Sequence, residues 1–360
     1  MTKPSLYGIT HSNRDFSDSY YWGKNQFNSS FPVALTCFMR DSGINPVYLR
    51  LNRDRKIFHE EIAVSALFNT KLSNDKLYFS FESRFEPFKQ FVHDELEIID
   101  LVVMNAETND FLQSLEIKLT TLPDDTTEGL PEDEYGCELV IRSATMRYMA
   151  LSMAQSLQKK TKEIREIFEP ACLKVRGWDN ADEIRNKLPA ILEALEAFIS
   201  KYRRYEKPFL MQPVWKTIGK SSVLADNCLD VFIRSDFALT RLFMDSALEN
   251  DSARISRQQR AAVRLARFLF EVSRAGKVYQ EPIYDGMSLG NQTDKEFAIS
   301  GNKTHSYMKC ARLTRPIIHK NQIKKIILGG GQKYLSPERR FDAIIYFSTD
   351  LFASRKRLCA

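Results

Sequence analysis

Three charged residues of interest stand inside two segments that are mainly apolar. Asp100 lies in segment 96–104 (LEIIDLVVM), and Glu116 and Lys118 lie in Phe111–Leu119 (FLQSLEIKL). Charged groups inside apolar strands cost free energy unless they are paired or bound to a metal ion. Two neighbouring carboxylates repel each other, and a divalent cation such as Mg²⁺, which prefers oxygen ligands, relieves that repulsion. These residues are therefore candidates for a metal-dependent reaction.

The two segments are predicted to form a β-hairpin, because the connection at 105–110 (NAETND) is rich in turn-forming residues. Folding the hairpin at its centre brings position 100 opposite position 115 or 116, so that Asp100 and Glu116 become cross-strand neighbours. Glu116 and Lys118 are two residues apart and should project from one face. The residues predicted to point the other way, into a core, are Leu115, Ile117 and Leu119.

This set of side chains could hydrolyse a phosphodiester bond. A metal ion held by Asp100 and Glu116 would polarise the phosphate and lower the pKa of a water molecule. Lys118 could orient that water and offset the charge of a phosphorane-like transition state. The alternative is a salt bridge between Lys118 and either carboxylate on the solvent face of a sheet. A bare Glu-x-Lys pattern is common, so the partner aspartate on the preceding strand is what favours catalysis.

The arrangement of Asp100, fifteen intervening residues and then Glu116-Ile117-Lys118 resembles the PD-(D/E)XK signature of type II restriction endonucleases, although Ile99 stands at the proline position. The stretches ELEIIDLVV and SLEIKLTTLPDD resemble, more specifically, the HindVP-like restriction enzymes. The resemblance implies an α/β (α+β) restriction-endonuclease-like core, with a mixed central β-sheet flanked by helices and with helical and C-terminal additions. It also implies Mg²⁺-dependent cleavage of double-stranded DNA at a short palindrome, expected to be GRCGYC, leaving 5′-phosphates.

In that superfamily a carboxylate on the helix before the first core strand often joins the metal site. The apolar positions of segment 57–68 fit one face of a helix, and Glu60 or Glu61 beside that face could take this role. A solvated helix face is an equally good interpretation of each. Asp124 and Asp125 follow the lysine strand and could also approach the metal, but loop carboxylates are more often solvated.

The rest of the chain alternates strands and helices, which indicates an α/β or α+β architecture. Predicted strands occupy 77–81, 138–141, 230–233, 323–328 and 341–347, and predicted helices occupy 143–159, 163–168, 181–202 and 254–272. We expect one compact unit, with a nuclease core at 57–240 that includes a helical insertion and a DNA-contacting region at 241–360. No linker marks this boundary.

Basic residues suggest contacts to DNA. Four arginines at spacings of three, four and three should share one helical face and could follow a line of phosphates: Arg257, Arg260, Arg264 and Arg267. An ordinary solvated face is the alternative. A second candidate segment, 303–315, offers side chains suited to bases and phosphates, namely Lys303, His305, Lys309 and Arg312. A third spans 324–340.

Composition limits the class of protein and its compartment. The chain has 52 basic and 46 acidic residues, a net charge of +6 that permits a polyanionic partner without requiring one. Its six cysteines form no C-x-x-C pair, which favours a reducing cytoplasm.

The palindromic target that the resemblance implies suits a homodimer, because two-fold symmetry would present one active site to each DNA strand. Two alternatives stay open, a repair or junction-resolving nuclease and a non-catalytic DNA-binding protein with a decayed nuclease core.

Overall fold

The protein has a mixed α/β fold. The computed structural model describes residues 43, 45, 47–51, 57–61, 72, 76–119, 138–202, 211–213, 215–218, 221–224, 230–234, 236–237, 240, 244, 247–248, 254–285, 287, 289 and 295–300. The first five strands are β1 (Val47–Leu51), β2 (Ile57–Glu61), β3 (Leu77–Ser83), β4 (Ile99–Asn105) and β5 (Phe111–Leu119). The later strands are β6 (Glu138–Arg142), β7 (Met211–Pro213), β8 (Trp215–Ile218), β9 (Ser221–Leu224), β10 (Asp230–Arg234) and β11 (Lys295–Ser300). The helices are α1 (Ser143–Ser156), α2 (Thr161–Cys172), α3 (Ala181–Lys201), α4 (Arg257–Ala275) and α5 (Glu281–Tyr284).

A five-stranded sheet carries the predicted hairpin at its centre. Its strand order is β3-β4-β5-β10-β7, and every pairing described between these strands is antiparallel. The predicted strands that fall in it, at 77–81, 96–104, 111–119 and 230–233, are confirmed within three residues of their observed ends. The sequence predicted a mixed sheet, but among the described strands of this sheet no parallel pairing occurs, so the parallel part of that prediction stays a prediction. The predicted strands at 323–328 and 341–347 lie outside the described residues.

The predicted helix at 57–68 is wrong over its first five residues. Ile57–Glu61 is a β-strand that pairs antiparallel with Val47–Leu51, with Tyr48 opposite Glu60 and Val47 opposite Glu61. The partner strand VYLRL is rich in residues that favour strands, and pairing between segments outweighs a helical spacing of apolar residues. Glu60 and Glu61 therefore do not lie on a helix that precedes the core strands.

The helices pack together into one core on the side of the sheet that α1 covers. Helix α4 lies at the centre of this core and packs against α1, α2 and α3. Its residues are buried around most of the helix, as expected for a helix enclosed by others. A capping box between Ser256 and Gln259 begins it, and Gly276, with φ of +77°, follows its end. The predicted division into a nuclease core at 57–240 and a DNA-contacting region at 241–360 stays a prediction. Helix α4, which follows residue 240, belongs to the same core as the helices before it.

None of the described helices is both long and apolar enough to cross a lipid bilayer. Among the described residues there is one cysteine, Cys172, which is buried with a free thiol.

Candidate active site

The register of the β4–β5 hairpin decides whether the two predicted carboxylates meet. At the turn Met104 pairs with Phe111, and beyond it Val103 pairs with Gln113, so β5 carries one extra residue at a bulge. Leu101 then pairs with Leu115, and one further step of this register places Asp100 opposite Glu116. Without the bulge Asp100 would lie opposite Leu115. A shift of one residue turns a strand over, so the bulge is what brings Asp100 and Glu116 to one face.

The turn that sets this register is held by its own polar groups. The side-chain oxygen of Asn105 accepts a hydrogen bond of 2.9 Å from the Glu107 N–H. The main-chain N–H of Asn109 donates to the Asn105 carbonyl at 2.9 Å, and Asn109 has φ of +62°, a conformation that asparagine adopts more readily than most residues. The turn therefore follows from local sequence.

Asp100 is partly buried, and its carboxylate is tied to the opposite strand. Its Oδ2 atom accepts a hydrogen bond of 2.7 Å from the main-chain N–H of Ile117. Leu101 and Val102, the residues that follow it in β4, are fully buried. Asp100 thus lies near the start of the apolar strand β4, and its carboxylate contacts the backbone of β5.

Glu116 is a buried carboxylate, with 7% of its surface exposed. Its Oε1 atom accepts a hydrogen bond of 3.1 Å from the hydroxyl of Thr145 on α1. Its neighbours Leu115 and Ile117 are buried on the other side of the strand, as predicted. A hydroxyl is a neutral donor, so this contact orients the carboxylate without neutralising its charge.

Helix α1 brings a second hydroxyl to the same strand. Tyr148 donates to the carbonyl oxygen of Ser114 at 3.2 Å, and its ring is buried. Burial raises the pKa of Tyr148 well above its ordinary value, and the nearby negative charges of Asp236 and Glu116 raise it further. Tyr148 is therefore a protonated hydrogen-bond donor throughout the ordinary pH range. Asp236 is itself buried and lies two residues beyond the end of β10.

The backbone of Lys118 lies in β5, opposite Phe232 of β10, and Glu116 lies opposite Arg234. The structure therefore places all three predicted catalytic residues on adjacent central strands, β4 and β5. The side chain of Lys118 lies outside what the structure describes, so its approach to the two carboxylates stays a prediction.

The chemistry of the two carboxylates fits Mg²⁺. Mg²⁺ is commonly bound through one or two carboxylates while keeping several waters, which leaves positions for phosphate oxygens. An ionised carboxylate offers about four lone-pair positions, so it can accept hydrogen bonds from the protein and still bind a cation. In the described part of the chain no group of three or more His, Cys, Asp or Glu side chains is arranged to hold a metal ion. Among the described residues, the carboxylates of the candidate site are therefore Asp100 and Glu116.

The other acidic candidates are not brought to this site by the described structure. Glu60 and Glu61 lie on β2, which pairs with β1 in a separate two-stranded sheet, and their side chains lie outside the described residues. Asp124 and Asp125 also lie outside the described residues.

The predicted arginine stripe is wrong as a solvent-facing surface. Arg260 and Arg264 have 2% and 3% of their surface exposed, and the Arg264 Nη2 atom donates to the Met287 carbonyl at 2.5 Å. Arg267 forms an ion pair of 2.7 Å with Glu271 and lies over the Trp178 ring. The predicted helix is confirmed, but α4 lies inside the core, and Arg264 and Arg267 bind protein groups. Arg257 is half-buried at the first turn.

The remaining predicted DNA contacts lie outside the described residues, including the segment 324–340 and four single residues: Lys303, His305, Lys309 and Arg312. Sequence reasoning missed Thr145, Tyr148 and Asp236. The sequence indicates the first two only weakly, since Thr145 and Tyr148 are two of several polar residues in a helix that is otherwise apolar.

An α/β fold with two carboxylates on adjacent central strands is compatible with a restriction-endonuclease-like core. A model of the HindVP restriction endonuclease family matches residues 22–352. The type II restriction enzyme HgiDI of Herpetosiphon aurantiacus is 39% identical over 352 residues, which is 98% of each chain. The probable type II restriction enzyme HindVP of Haemophilus influenzae is 40% identical over 351 residues, covering 97% of this chain and 95% of that relative. No solved structure matches significantly.

The chain therefore belongs to the HindVP restriction endonuclease family. The prediction from the segments around Asp100 and Glu116 is confirmed, and the match extends it over almost the whole chain.

Proposed function

We propose that this protein is a type II restriction endonuclease that uses Asp100, Glu116 and Lys118 to cleave double-stranded DNA at a short palindrome. The observation that carries the proposal is the bulged register of the β4–β5 hairpin, which sets Asp100 opposite a buried Glu116. Two relatives named as type II restriction enzymes, aligned over nearly their full lengths, support the same activity.

Asp100 and Glu116 hold Mg²⁺ in this proposal. The chemistry that Mg²⁺ supplies when bound is polarisation of the scissile phosphate and a lower pKa of a water molecule beside it. Lys118 orients the attacking water and offsets negative charge that develops on the phosphate. Attack of the water oxygen on phosphorus breaks the P–O3′ bond, and the products are a 5′-phosphate and a 3′-hydroxyl.

The target proposed from the family resemblance is GRCGYC. A palindrome presents the same half-site twice, so a homodimer with two-fold symmetry would place one active site on each strand. The scattered cysteines favour the cytoplasm, where a restriction enzyme meets incoming DNA.

Mapping the products tests this function. Purified protein is incubated with unmethylated phage DNA and Mg²⁺, and the ends of the fragments are sequenced. We expect discrete fragments whose ends all lie within GRCGYC and can be ligated without added kinase. Discrete ends at another palindrome would overturn the target alone. Cleavage only at branched or damaged DNA would favour the repair nuclease, and binding without cleavage would favour the decayed DNA-binding protein.

A further inference from the structure

Glu116 is held by a residue that comes from a different part of the chain. The Thr145 hydroxyl donates to Glu116 Oε1 at 3.1 Å, and both side chains are buried, with 3% and 7% of their surfaces exposed. A free glutamate side chain loses substantial rotational entropy when it is fixed. A buried hydrogen bond to one of its oxygens restricts the rotation of the carboxylate and defines which way the group faces.

Thr145 does not act on the strand alone. Tyr148, one helical turn further along α1, donates to the Ser114 carbonyl, two residues before Glu116. Three residues of helix advance about 4.5 Å, and two residues of strand advance about 6.6 Å. The later helix residue contacts the earlier strand residue, so α1 and β5 run in opposite directions along these two contacts. Together the contacts fix β5 against α1 on both sides of Leu115.

Helix α1 is itself anchored between these two contacts. Arg147 donates to Glu97 Oε1 at 2.6 Å and to the carboxylate of Asp285 at 2.6 Å. Glu97 lies just before β4, and Asp285 follows α5. These half-buried ion pairs limit rotation of α1 about its axis, so the direction of the Thr145 hydroxyl is set before any ligand binds.

The chemical type of the donor matters for a metal ligand. A lysine or arginine in the place of Thr145 would compensate the charge of Glu116 and compete with a divalent cation. The Thr145 hydroxyl holds one oxygen and adds no positive charge. Hydrogen bonds of this kind orient metal-binding carboxylates in other proteins, and their loss typically costs about 10- to 100-fold in metal affinity or activity.

We propose that Thr145 is a positioning residue, which holds the Glu116 carboxylate in the orientation that binds the divalent cation. This assignment rests on the proposed function, because it requires Glu116 to be a metal ligand. It adds a residue from α1 to a site otherwise formed by β4 and β5.

Two substitutions of Thr145 separate its hydroxyl from its size. Thr145→Val keeps the shape and removes the donor, whereas Thr145→Ser keeps the donor and removes a methyl group. Ser156→Ala is the matched control, because Ser156 is a half-buried hydroxyl residue at the opposite end of the same helix. The readouts are Mn²⁺ affinity of the DNA-free protein, measured by electron paramagnetic resonance, the Mg²⁺ concentration for half-maximal cleavage, and the melting temperature without metal.

We expect Thr145→Val to weaken Mn²⁺ binding and raise the Mg²⁺ requirement by about 10- to 100-fold. Thr145→Ser and Ser156→Ala should keep a metal affinity and a Mg²⁺ requirement close to those of the wild type. Wild-type Mn²⁺ affinity and Mg²⁺ requirement in Thr145→Val would overturn the assignment. So would a lower melting temperature with unchanged Mn²⁺ affinity, or a serine variant as impaired as the valine variant.

The failure of the proposed function would look different. If the wild type binds no Mn²⁺ and cleaves no DNA, the active-site proposal falls and the role of Thr145 falls with it. If the wild type cleaves with Mg²⁺, Glu116→Gln does not, and Thr145→Val matches the wild type in all three readouts, only the assignment of Thr145 is wrong.

Discussion

Asp100 Oδ2 accepts a 2.7 Å hydrogen bond from the N–H of Ile117, the peptide group that directly follows Glu116. The aspartate is therefore fixed to the backbone of the strand that carries the glutamate. This contact does not involve the Glu116 side chain. Substitutions of Glu116 should consequently leave Asp100 in place, which makes the two carboxylates separable by experiment.

Asp100 should have a structural role in addition to its catalytic one. Asp100→Asn can still accept the Ile117 N–H through its amide oxygen, whereas Asp100→Ala leaves that N–H without this acceptor at a cost of about 1–3 kcal/mol. We expect both variants to lose cleavage and only the alanine variant to lose this stability. Urea unfolding beside a digestion assay measures the two effects. Equal stability of the variants, or cleavage by the asparagine variant, would contradict this dual role.

The buried arginines of α4 should act on stability and not on DNA binding. Arg264→Ala removes the donor to the Met287 carbonyl and leaves a cavity, which should lower the free energy of unfolding by about 2–4 kcal/mol. Arg185→Ala, at an exposed ion pair with Asp182, is the control and should cost at most about 1 kcal/mol.

The salt dependence of DNA binding gives the second readout for Arg264. A phosphate contact contributes to the slope of log affinity against log salt concentration. Because Arg264 is 3% exposed, we expect the folded Arg264→Ala protein to keep the wild-type slope. A stable Arg264→Ala variant with a shallower slope would instead support the prediction that Arg264 contacts a DNA phosphate.

Tyr148 should make the protein sensitive to alkaline pH. Its pKa is raised in the folded state by burial and by nearby carboxylates, so above about pH 10 the unfolded chain loses the proton while the folded chain keeps it. Stability from this group is therefore present below about pH 10 and is lost as pH rises further. Tyr148→Phe should be about 1 kcal/mol less stable near neutral pH, because the Ser114 carbonyl loses a donor.

Unfolding of wild type and Tyr148→Phe at about pH 7 and about pH 10.5 tests this assignment. The stability difference between them should shrink at the higher pH, since the variant has no phenol to ionise. A difference that stays constant across this range would mean that Tyr148 titrates equally in both states.

Glu163 should couple stability to acidic pH. Hydrogen bonds from Lys160 at 2.7 Å and from Lys201 at 3.2 Å lower the pKa of Glu163 from 4.5 to about 2. The stabilisation is present above pH 4.5 and is lost as pH falls toward 2, because the unfolded chain takes up the proton first. This carboxylate joins the start of α2 to the end of α3.

Glu163→Gln should be less stable than wild type near neutral pH, and the difference should disappear as the pH approaches 2. Thermal melting across this range measures it, with the exposed Glu166→Gln of the same helix as the control. A stability difference that persists unchanged at the lowest pH would contradict the role of these lysines.

The hairpin could be predicted from sequence because the residues that specify it lie within one short segment of the chain. Apolar runs flank a turn-rich connection, and Asn105 and Asn109 supply the turn contacts. The sequence left two partners open for Asp100, position 115 or 116. The bulge in β5 decides between them, and no residue pattern marks it.

The two errors both concern contacts with other segments of the chain, which the pattern of residues within one segment does not specify. Ile57–Glu61 carries a helical spacing but pairs with Val47–Leu51 as a strand. The arginines of α4 share a face, but the assumption that a charged face meets solvent fails for a helix enclosed by three others. Thr145 and Tyr148 were missed for the same reason, since neutral hydroxyls on a helix do not indicate which strand the helix will cover.

Digestion of unmethylated DNA by wild type, Glu116→Gln and Glu107→Gln tests the central claim most directly. Glu107 is the matched control, because it is an exposed glutamate at the turn of the same hairpin. Wild type and Glu107→Gln should give the same discrete fragments with Mg²⁺ and none with a chelator, and Glu116→Gln should give none although it folds and binds DNA. Cleavage by Glu116→Gln at the wild-type rate, or unchanged cleavage in chelator, would contradict a metal-dependent site built on Asp100 and Glu116.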